Sequence, residues 1–289
     1  MNFIKKNKLL VLFIPIFIYS VLLLVYVFQP TPTSLRNNIL PLDRSEVIVV
    51  YGDTRTGHDI HQLIVDNISK LEPIAIFHTG DLVNDGTIES EWDTFNEITS
   101  ELLETTDFYP SLGNHEKNSD LYFENFDLPN NERWYSVDYN DIHFIILDSN
   151  ISLSSESEQY TWLEADLLDT NRDDFVVSIF HHPPFSTGPH KEDEMNLRES
   201  IVPLFEEYDV EIVFNGHDHN YERSFSNDIY YIVAGGGGAP LRDQERISDY
   251  SQKFLKSYNY CVLEMSENEL NVSVYNEVNT LIDEFVVEK

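Results

Sequence analysis

The sequence has few cysteines and few basic residues, and each shortage excludes a class of protein. Cys261 is the one cysteine among 289 residues, so neither an intrachain disulfide framework nor a Cys-x-x-Cys zinc site can form. Lysine and arginine number 18 against 51 acidic residues, which gives a formal net charge of −33. Proteins that bind nucleic acids or anionic lipids need a basic surface, so we expect neither partner. Any metal site must use histidine, aspartate, glutamate and asparagine.

The rest of the composition is that of a folded domain, but two common catalytic motifs are missing. Hydrophobic residues make up 42% and aromatic residues 13%, enough for a buried core. No Gly-x-Ser-x-Gly sequence is present, so a serine nucleophile finds no support. The glycines at 235–238 are not followed by Lys-Ser or Lys-Thr, which excludes a P-loop.

The N-terminus differs from the rest of the chain. Residues 9–28 carry no charge, and three lysines precede them within residues 1–8. Twenty apolar residues in a helix span roughly 30 Å, the thickness of the hydrocarbon core of a bilayer. We therefore predict cytoplasmic residues at 1–8, a transmembrane signal anchor at 9–28, a proline-containing linker at 29–44 and an extracytoplasmic domain at 45–289. The alternative is a cleaved signal peptide, which would release a secreted protein.

Residues 45–289 alternate between short apolar runs and one-sided helical patterns. The apolar runs predict strands at 46–52, 73–81, 108–116, 142–148, 175–182 and 210–219. Apolar residues at helical spacing predict helices at 57–70, 88–104, 157–169 and 194–207. Beyond residue 229 the chain is rich in strand patterns. This order of elements predicts an α/β sandwich with mixed sheets.

Polar residues cluster where the predicted strands end. They are Asp53, Asp81, Asn84, Asn114, His115, His181, His182, His217 and His219. Ligands bind at the carboxyl ends of strands in α/β sheets, so we expect these side chains to meet at one edge. Their oxygen and nitrogen atoms suit borderline first-row divalent metals or iron. The set is too large for one tetrahedral site and about right for two adjacent ions.

The order of these motifs resembles that of the calcineurin-like metallophosphoesterases. The motifs are GDTR (52–55), GDLVN (80–84), GNHE (113–116), FHHPPF (180–185) and GHDH (216–219). Two further stretches, GHDHNYERS (216–224) and YIVAGGGGAP (231–240), are similar to the purple acid phosphatase branch. The resemblance implies a four-layer sandwich of two mixed β-sheets flanked by helices. It also implies a centre of two divalent or trivalent ions, with Fe, Mn and Zn as the candidates.

The resemblance assigns roles to the matching residues. It implies that Asp81 bridges both ions, that Asp53 and His219 bind the first, and that Asn114, His181 and His217 bind the second. His115 matches the histidine that stabilises the phosphoryl group or protonates the leaving oxygen. His190 resembles the substrate-facing histidine of this branch, and we expect His182 to lie outside the ligand set or in the loop.

Two positions depart from the family pattern. Arg55 stands where other metallophosphoesterases have a histidine, and Asn84 stands where purple acid phosphatases have a tyrosine. The first ion therefore lacks its usual fourth protein ligand, a place open to water, Asn84 or His58. Arg55 either faces the phosphate or forms a salt bridge within this acidic domain. Without the tyrosine we expect a colourless or pale protein.

These features predict a membrane-anchored, extracytoplasmic phosphatase of small phosphate monoesters, with 45–289 as its catalytic domain. The resemblance implies a mechanism in which two metals lower the pKa of a water molecule. The hydroxide formed from this water attacks phosphorus in line with the leaving oxygen. One alternative is a phosphodiesterase or nucleotide hydrolase with the same metals. The other is a non-catalytic metal-binding or phosphate-binding relative, suggested by the departures at Arg55 and Asn84. The sequence identifies no protein partner.

Overall fold

The computed structural model describes residues 46–266 and 268–289. The predicted anchor at 9–28 lies outside them and stays a prediction. Within the described ranges, no helix combines the length and the apolar character that a membrane crossing needs. Residues Ser45–Lys289 form one compact unit.

Thirteen strands and six helices make up the described residues. The strands are β1 (Val47–Tyr51), β2 (Ala75–His78), β3 (Asp107–Pro110), β4 (Tyr135–Tyr139), β5 (Ile142–Ile146), β6 (Phe175–Ile179), β7 (Ile212–Asn215), β8 (Tyr221–Ser226), β9 (Ile229–Ala234), β10 (Ser251–Leu255), β11 (Tyr260–Ser266), β12 (Glu269–Tyr275) and β13 (Leu281–Glu288). The helices are α1 (His58–Ser69), α2 (Glu89–Leu103), α3 (Asp120–Asn125), α4 (Glu158–Asp169), α5 (Leu197–Ser200) and α6 (Val202–Glu207).

The strands form two mixed sheets, as the sequence predicts. The first has the order β13-β12-β11-β1-β2-β3, and the second has the order β10-β8-β9-β7-β6-β5-β4. Strands β1, β2 and β3 are parallel, and so are β5, β6, β7 and β9. The parallel strands are the most apolar because both of their faces are covered. Each sheet therefore presents the carboxyl ends of its central strands on one edge.

Three apolar clusters hold the layers together. The largest lies between the sheets, where the rings of Phe77 and Phe144 stack with centroids 4.1 Å apart. A second packs β1 and β2 against α1 and α2, with Ile64 and Leu102 buried. The third packs β5, β6 and β7 against α4 and α6, with Leu163 buried. The predicted four-layer arrangement, in which helices cover the outer faces of two packed sheets, is confirmed.

Element boundaries differ from the sequence prediction mainly where strands approach the polar cluster. The strand predicted at 73–81 ends at His78, and the one predicted within 210–219 ends at Asn215. Both are shorter because the following backbone turns into the left-handed region, at Gly80, Asp81 and His217. The helix predicted at 194–207 is divided into α5 and α6 around Ile201. Helix α3 was not predicted.

Candidate metal centre

The side chains that the sequence predicts for a metal site meet at the carboxyl ends of the parallel strands. Asp53 follows β1, Asp81 follows β2, His181 follows β6, and His217 and His219 follow β7. Two groups have ligand atoms within 4.8 Å of one another: Asp53, Asp81 and His219 form one, and His181, His182 and His217 form the other. All six residues are buried.

Backbone turns aim these side chains into the centre. Asp53, Asp81 and His217 have φ values of 57°, 58° and 69°, in the left-handed region that non-glycine residues seldom adopt. Such conformations persist where the surrounding structure over-determines them, and they cluster at functional sites. Gly80, with φ of 93°, precedes Asp81, and a Cβ atom there would lie 2.8 Å from the backbone nitrogen of Gly113. This turn therefore requires glycine.

The first group has an oxygen atom suited to a cation. Asp53 Oδ2 accepts a hydrogen bond from the backbone nitrogen of His217 at 3.0 Å. Asp53 Oδ1 is buried without a hydrogen-bond partner and lies 3.5 Å from His219 Nε2. His219 Nδ1 donates to the carbonyl of Pro240 at 2.9 Å, so Nε2 presents its lone pair to the centre. A carboxylate oxygen and an imidazole nitrogen aimed at each other fit a shared metal ion.

The second group adjoins the first through Asp81. His181 Nε2 lies 3.4 Å from Asp81 Oδ1, 3.1 Å from Asn114 Oδ1 and 3.2 Å from His217 Nδ1. His181 Nδ1 donates to the carbonyl of Thr79 at 2.9 Å, which leaves Nε2 free to bind a metal. Asn114 therefore belongs to this group, and Asp81, a member of the first group, also lies beside the second.

His182 lies beside His181 and His217. Its expected position outside the ligand set stays a prediction. Its Nδ1 lies 2.8 Å from the hydroxyl of Ser149. The rings of His182 and His217 have centroids 4.6 Å apart. His182 is thus a buried neighbour of the second ligand group.

Burial sets the protonation of the centre. It lowers the pKa of His182 and of His219 to about 4, and it lowers the pKa of His181 and His217 well below the usual range. Neutral imidazole is the form that binds metals, so these histidines are ready to coordinate at neutral pH. Burial, together with the charge of Asp81, raises the pKa of Asp53 well above its usual value. A cation beside Asp53 would offset the repulsion between the carboxylates of Asp53 and Asp81.

Arg55 faces the first ligand group. Its Nε donates to Asp81 Oδ2 at 3.2 Å, its Nη1 donates to Asn84 Oδ1 at 3.3 Å, and its Nη2 lies 3.3 Å from His219 Nε2. Arg55 therefore makes the salt bridge that was one of its two predicted roles. Asn84 reaches the same guanidinium from the exposed side. His58 lines a small cavity with Asn84 and His61.

His115 lies beside Asp81 at the edge of the first ligand group. Its Nδ1 donates to the carbonyl of Asn84 at 2.6 Å, and its Nε2 lies 3.8 Å from Asp81 Oδ2. The side chain is partly exposed. The buried carboxylate of Glu116 accepts hydrogen bonds from the backbone nitrogens of Gly113 and Asp81, at 2.6 and 3.0 Å. Glu116 thus fixes the loop of His115 to the turn of Asp81.

Two residues of the site were not predicted from the sequence. The buried Asp218 Oδ1 accepts a hydrogen bond from His190 Nδ1 at 2.8 Å, and the ring of His190 stacks on His217 with centroids 3.8 Å apart. Glu194 Oε1 lies 2.6 Å from His217 Nε2, although the two are not aligned as a hydrogen bond. Asp218 stands between the histidines of GHDH, which was an available signal. Glu194 belongs to no motif.

Comparison with known proteins gives a consistent family match. The family model for calcineurin-like phosphoesterases matches residues 47–221. Purple acid phosphatase 18 of Arabidopsis thaliana is 30% identical over 177 residues, which cover 55% of this chain and 40% of that protein. Purple acid phosphatase 15 of the same plant is 32% identical over 179 residues, or 53% of this chain and 33% of that protein. The chain thus spans less than half the length of these curated relatives.

A solved structure supports the fold. The purple acid phosphatase PPD1 from seeds of yellow lupin (Lupinus luteus) superposes with a TM-score of 0.75. The match covers 84% of this chain and 53% of the lupin chain, at 20% sequence identity. At this identity the likeness concerns the arrangement of sheets and helices.

Proposed function

The chain belongs to the calcineurin-like phosphoesterase family, and from this premise we propose that it is a metal-dependent hydrolase of phosphate monoesters. One observation carries the proposal: two buried groups of metal-ligating side chains meet at Asp81. The similarity to purple acid phosphatases supports a centre of two ions, with Fe, Mn and Zn as the candidates.

The chain offers ligands for two ions, with the fourth protein ligand of the first ion absent from the set. Asp53, Asp81 and His219 would hold one of them. Asn114, His181 and His217, together with Asp81, would hold the other. When bound, such a pair neutralises charge on the phosphoryl group and lowers the pKa of a water molecule, which makes that water a nucleophile at neutral pH.

Other side chains bind the phosphoryl group and move a proton. Arg55 donates through Nε to Asp81 Oδ2 and through Nη1 to Asn84 Oδ1, and its remaining N–H donors are available to phosphoryl oxygens when His219 Nε2 binds the metal. His115 is held by the carbonyl of Asn84, so its Nε2 faces the centre. In the imidazolium form, Nε2 donates a proton to the leaving oxygen as the ester bond breaks. His190 is held by Asp218 and stacks on His217, and we propose that it contacts the same substrate.

We further propose that residues 9–28 anchor the protein in a membrane and that residues 45–289 act outside the cytoplasm. The charge-free segment and the three lysines before it support this orientation. Protease treatment of intact and of lysed cells checks it, because an external domain is digested in both. Protection of the domain in intact cells would overturn the proposed orientation, and recovery of a shortened soluble protein would indicate a cleaved signal.

The test of activity uses the full chain in detergent, stripped by a chelator and assayed with p-nitrophenyl phosphate and bis(p-nitrophenyl) phosphate. We expect monoester turnover that returns when Fe, Mn, Zn or Mg is added. His115→Ala should lower kcat by about 100-fold or more while bound metal stays unchanged, because general acid catalysis contributes about 10²–10⁴-fold. Asp81→Asn should lower metal content as well.

Other outcomes identify the alternatives. Faster turnover of the diester would favour the phosphodiesterase. If no metal restores turnover and His115→Ala changes nothing, the chain is a non-catalytic metal-binding relative.

A further inference from the structure

A cavity of about 450 Å³ opens beside Asn114. One wall is the loop that carries His115, represented by Gly113, Lys117 and Asn118. The facing wall includes Trp134 and Ile151. Its volume lies within the range of about 300–1,000 Å³ that is typical of small-molecule sites.

The cavity is continuous with the metal centre through Asn114. This residue lines the cavity, and its Oδ1 lies 3.1 Å from His181 Nε2 in the second ligand group. A phosphoryl group bound at the centre therefore has its ester oxygen within reach of the cavity. A larger cavity of about 520 Å³ lies beside Asp174 and Glu211, at the starts of β6 and β7 and so at their far ends from the centre. It cannot receive the same substrate.

The charges around the cavity beside Asn114 are paired. Lys117 Nζ lies 2.6 Å from Asp85 Oδ2, and Arg133 Nη1 lies 2.9 Å from the buried Asp148 Oδ2. The cavity is thus close to neutral, although residues 29–289 carry 51 acidic and 15 basic residues. The two cationic side chains that line the cavity are both paired, so neither is free to bind a second phosphate or a carboxylate. The cavity therefore favours an uncharged ligand group.

The apolar surface of the cavity favours a flat group. Ile151 is 40% exposed although it is a large aliphatic side chain, and Trp134 and Leu112 line the cavity with it. The guanidinium of Arg133 stacks over the ring of Phe123 at 5.4 Å. A second ring can contact the same guanidinium and the side chain of Ile151, because aromatic rings attract cations through their faces.

We propose that this cavity binds the leaving group of the substrate and that this group is an uncharged aromatic alcohol. The substrate class would then be aryl phosphate monoesters, with the phosphoryl group at the metal centre and the ring against Ile151. The proposal rests on the proposed phosphatase function for its catalytic consequence. Binding to the cavity is a separate property, which allows the two to be tested separately.

The kinetic test uses a variant in which a larger side chain fills the cavity. In the metal-loaded full chain, Ile151→Trp should lower kcat/KM for 1-naphthyl phosphate by about tenfold or more and change kcat/KM for glycerol 2-phosphate less than about twofold. The matched control is Ile247→Trp, at a position that is 97% exposed and does not line the cavity. Ile247→Trp should leave kcat/KM for both substrates unchanged. An equal loss for both substrates with Ile151→Trp, or no loss for either, would overturn the proposal.

A binding test keeps the proposal independent of turnover. By calorimetry on the metal-loaded protein, phenylphosphonate should bind at least about fivefold more tightly than methylphosphonate, and Ile151→Trp should remove the difference. Equal binding of both phosphonates to the unaltered protein would refute the cavity as an aryl site. If neither ester is hydrolysed but phenylphosphonate still binds preferentially, the phosphatase function fails while the aryl site stands.

Discussion

At the scale of single residues, Asp218 is a positioning residue for His190. Its side chain is buried, Oδ1 accepts the Nδ1–H of His190, and Oδ2 accepts a hydrogen bond from Ser186. A carboxylate that holds Nδ1 sets both the tautomer and the ring plane of an imidazole. The ring of His190 also stacks on His217.

Replacing Asp218 should therefore act through His190. We expect Asp218→Asn to lower kcat/KM for a monoester by about 10- to 100-fold, the range typical of outer-shell partners. The double variant with His190→Ala should lose no more than His190→Ala alone, because residues that act as a unit are not additive. Steady-state kinetics of the four proteins checks this. Additive losses would show that Asp218 acts independently of His190.

Asn84 is the residue on which the predicted colour of an iron-loaded protein depends. By resemblance it stands at the tyrosine position of purple acid phosphatases, and its Oδ1 faces the guanidinium that also contacts Asp81 and His219. We expect the unaltered protein to be pale after loading with iron. Asn84→Tyr should introduce a visible absorption band, whereas Asn84→Phe, which lacks the phenol oxygen, should not. A strong iron–tyrosinate band in the unaltered protein would contradict this prediction.

At the scale of elements, His143 ties the β4–β5 hairpin to α4. Its Nδ1 lies 2.6 Å from Asp138 Oδ1, and its Nε2 lies 3.0 Å from Asp166 Oδ2. Burial alone would lower the pKa of His143, but the hydrogen bonds and charges of Asp166 and Asp138 outweigh it, so the pKa is raised above its usual value. The folded state thus binds a proton at His143 more tightly than the unfolded state does.

This linkage predicts a loss of stability in alkali. The stabilisation by His143 is fully present below its unfolded pKa of about 6.5 and disappears as the pH rises through the higher folded pKa. Urea unfolding between pH 6 and pH 9 should therefore show a steeper fall in the free energy of unfolding for the unaltered protein than for His143→Gln. His58→Gln, at an exposed position on α1, is the matched control and should keep the original slope. Parallel curves for the unaltered protein and His143→Gln would refute the linkage.

At the scale of the whole molecule, net charge opposes compaction. The 51 acidic and 15 basic residues of 29–289 give this part a net charge of −36. Like charges repel more strongly in the folded state because it is smaller. The Debye length falls from about 30 Å at 0.01 M salt to about 10 Å at 0.1 M, so modest salt screens much of this repulsion.

Salt should therefore stabilise the folded protein. With a chelator present, we expect Tm to rise by roughly 2–8 °C between 10 and 200 mM NaCl, equivalent to about 1–2 kcal/mol for a domain of this size. KCl at the same ionic strength should give the same rise, because screening does not distinguish the two cations. Differential scanning calorimetry measures both. A constant or falling Tm would show that ion pairs outweigh the net repulsion.

Local sequence predicted most elements and most of the side chains that meet at the candidate metal centre. The apolar run of β1 and the one-sided pattern of α1 were found within two residues of the structure. Strand ends were overestimated at β2 and β7, because an apolar run does not show where the backbone becomes left-handed. The contact of Glu194 with His217 could not be predicted, since it is made by a loop without a motif.

The amino-acid sequence by itself determined which chemistry the centre can support. Asp81, His181 and their partners follow apolar runs and glycines, and these local patterns place them at strand ends whatever the distant contacts are. The tertiary structure alone decided which atoms meet. Asp53 and His217 stand 164 positions apart, and their contact forms when the two sheets pack together. Pairing of neighbouring strands within one sheet sets Arg55, after β1, beside Asp81, after β2. The ion pairs at the cavity of Ile151 likewise join separate segments, Lys117 with Asp85 and Arg133 with Asp148. Such pairs form between segments that only the folded structure brings together.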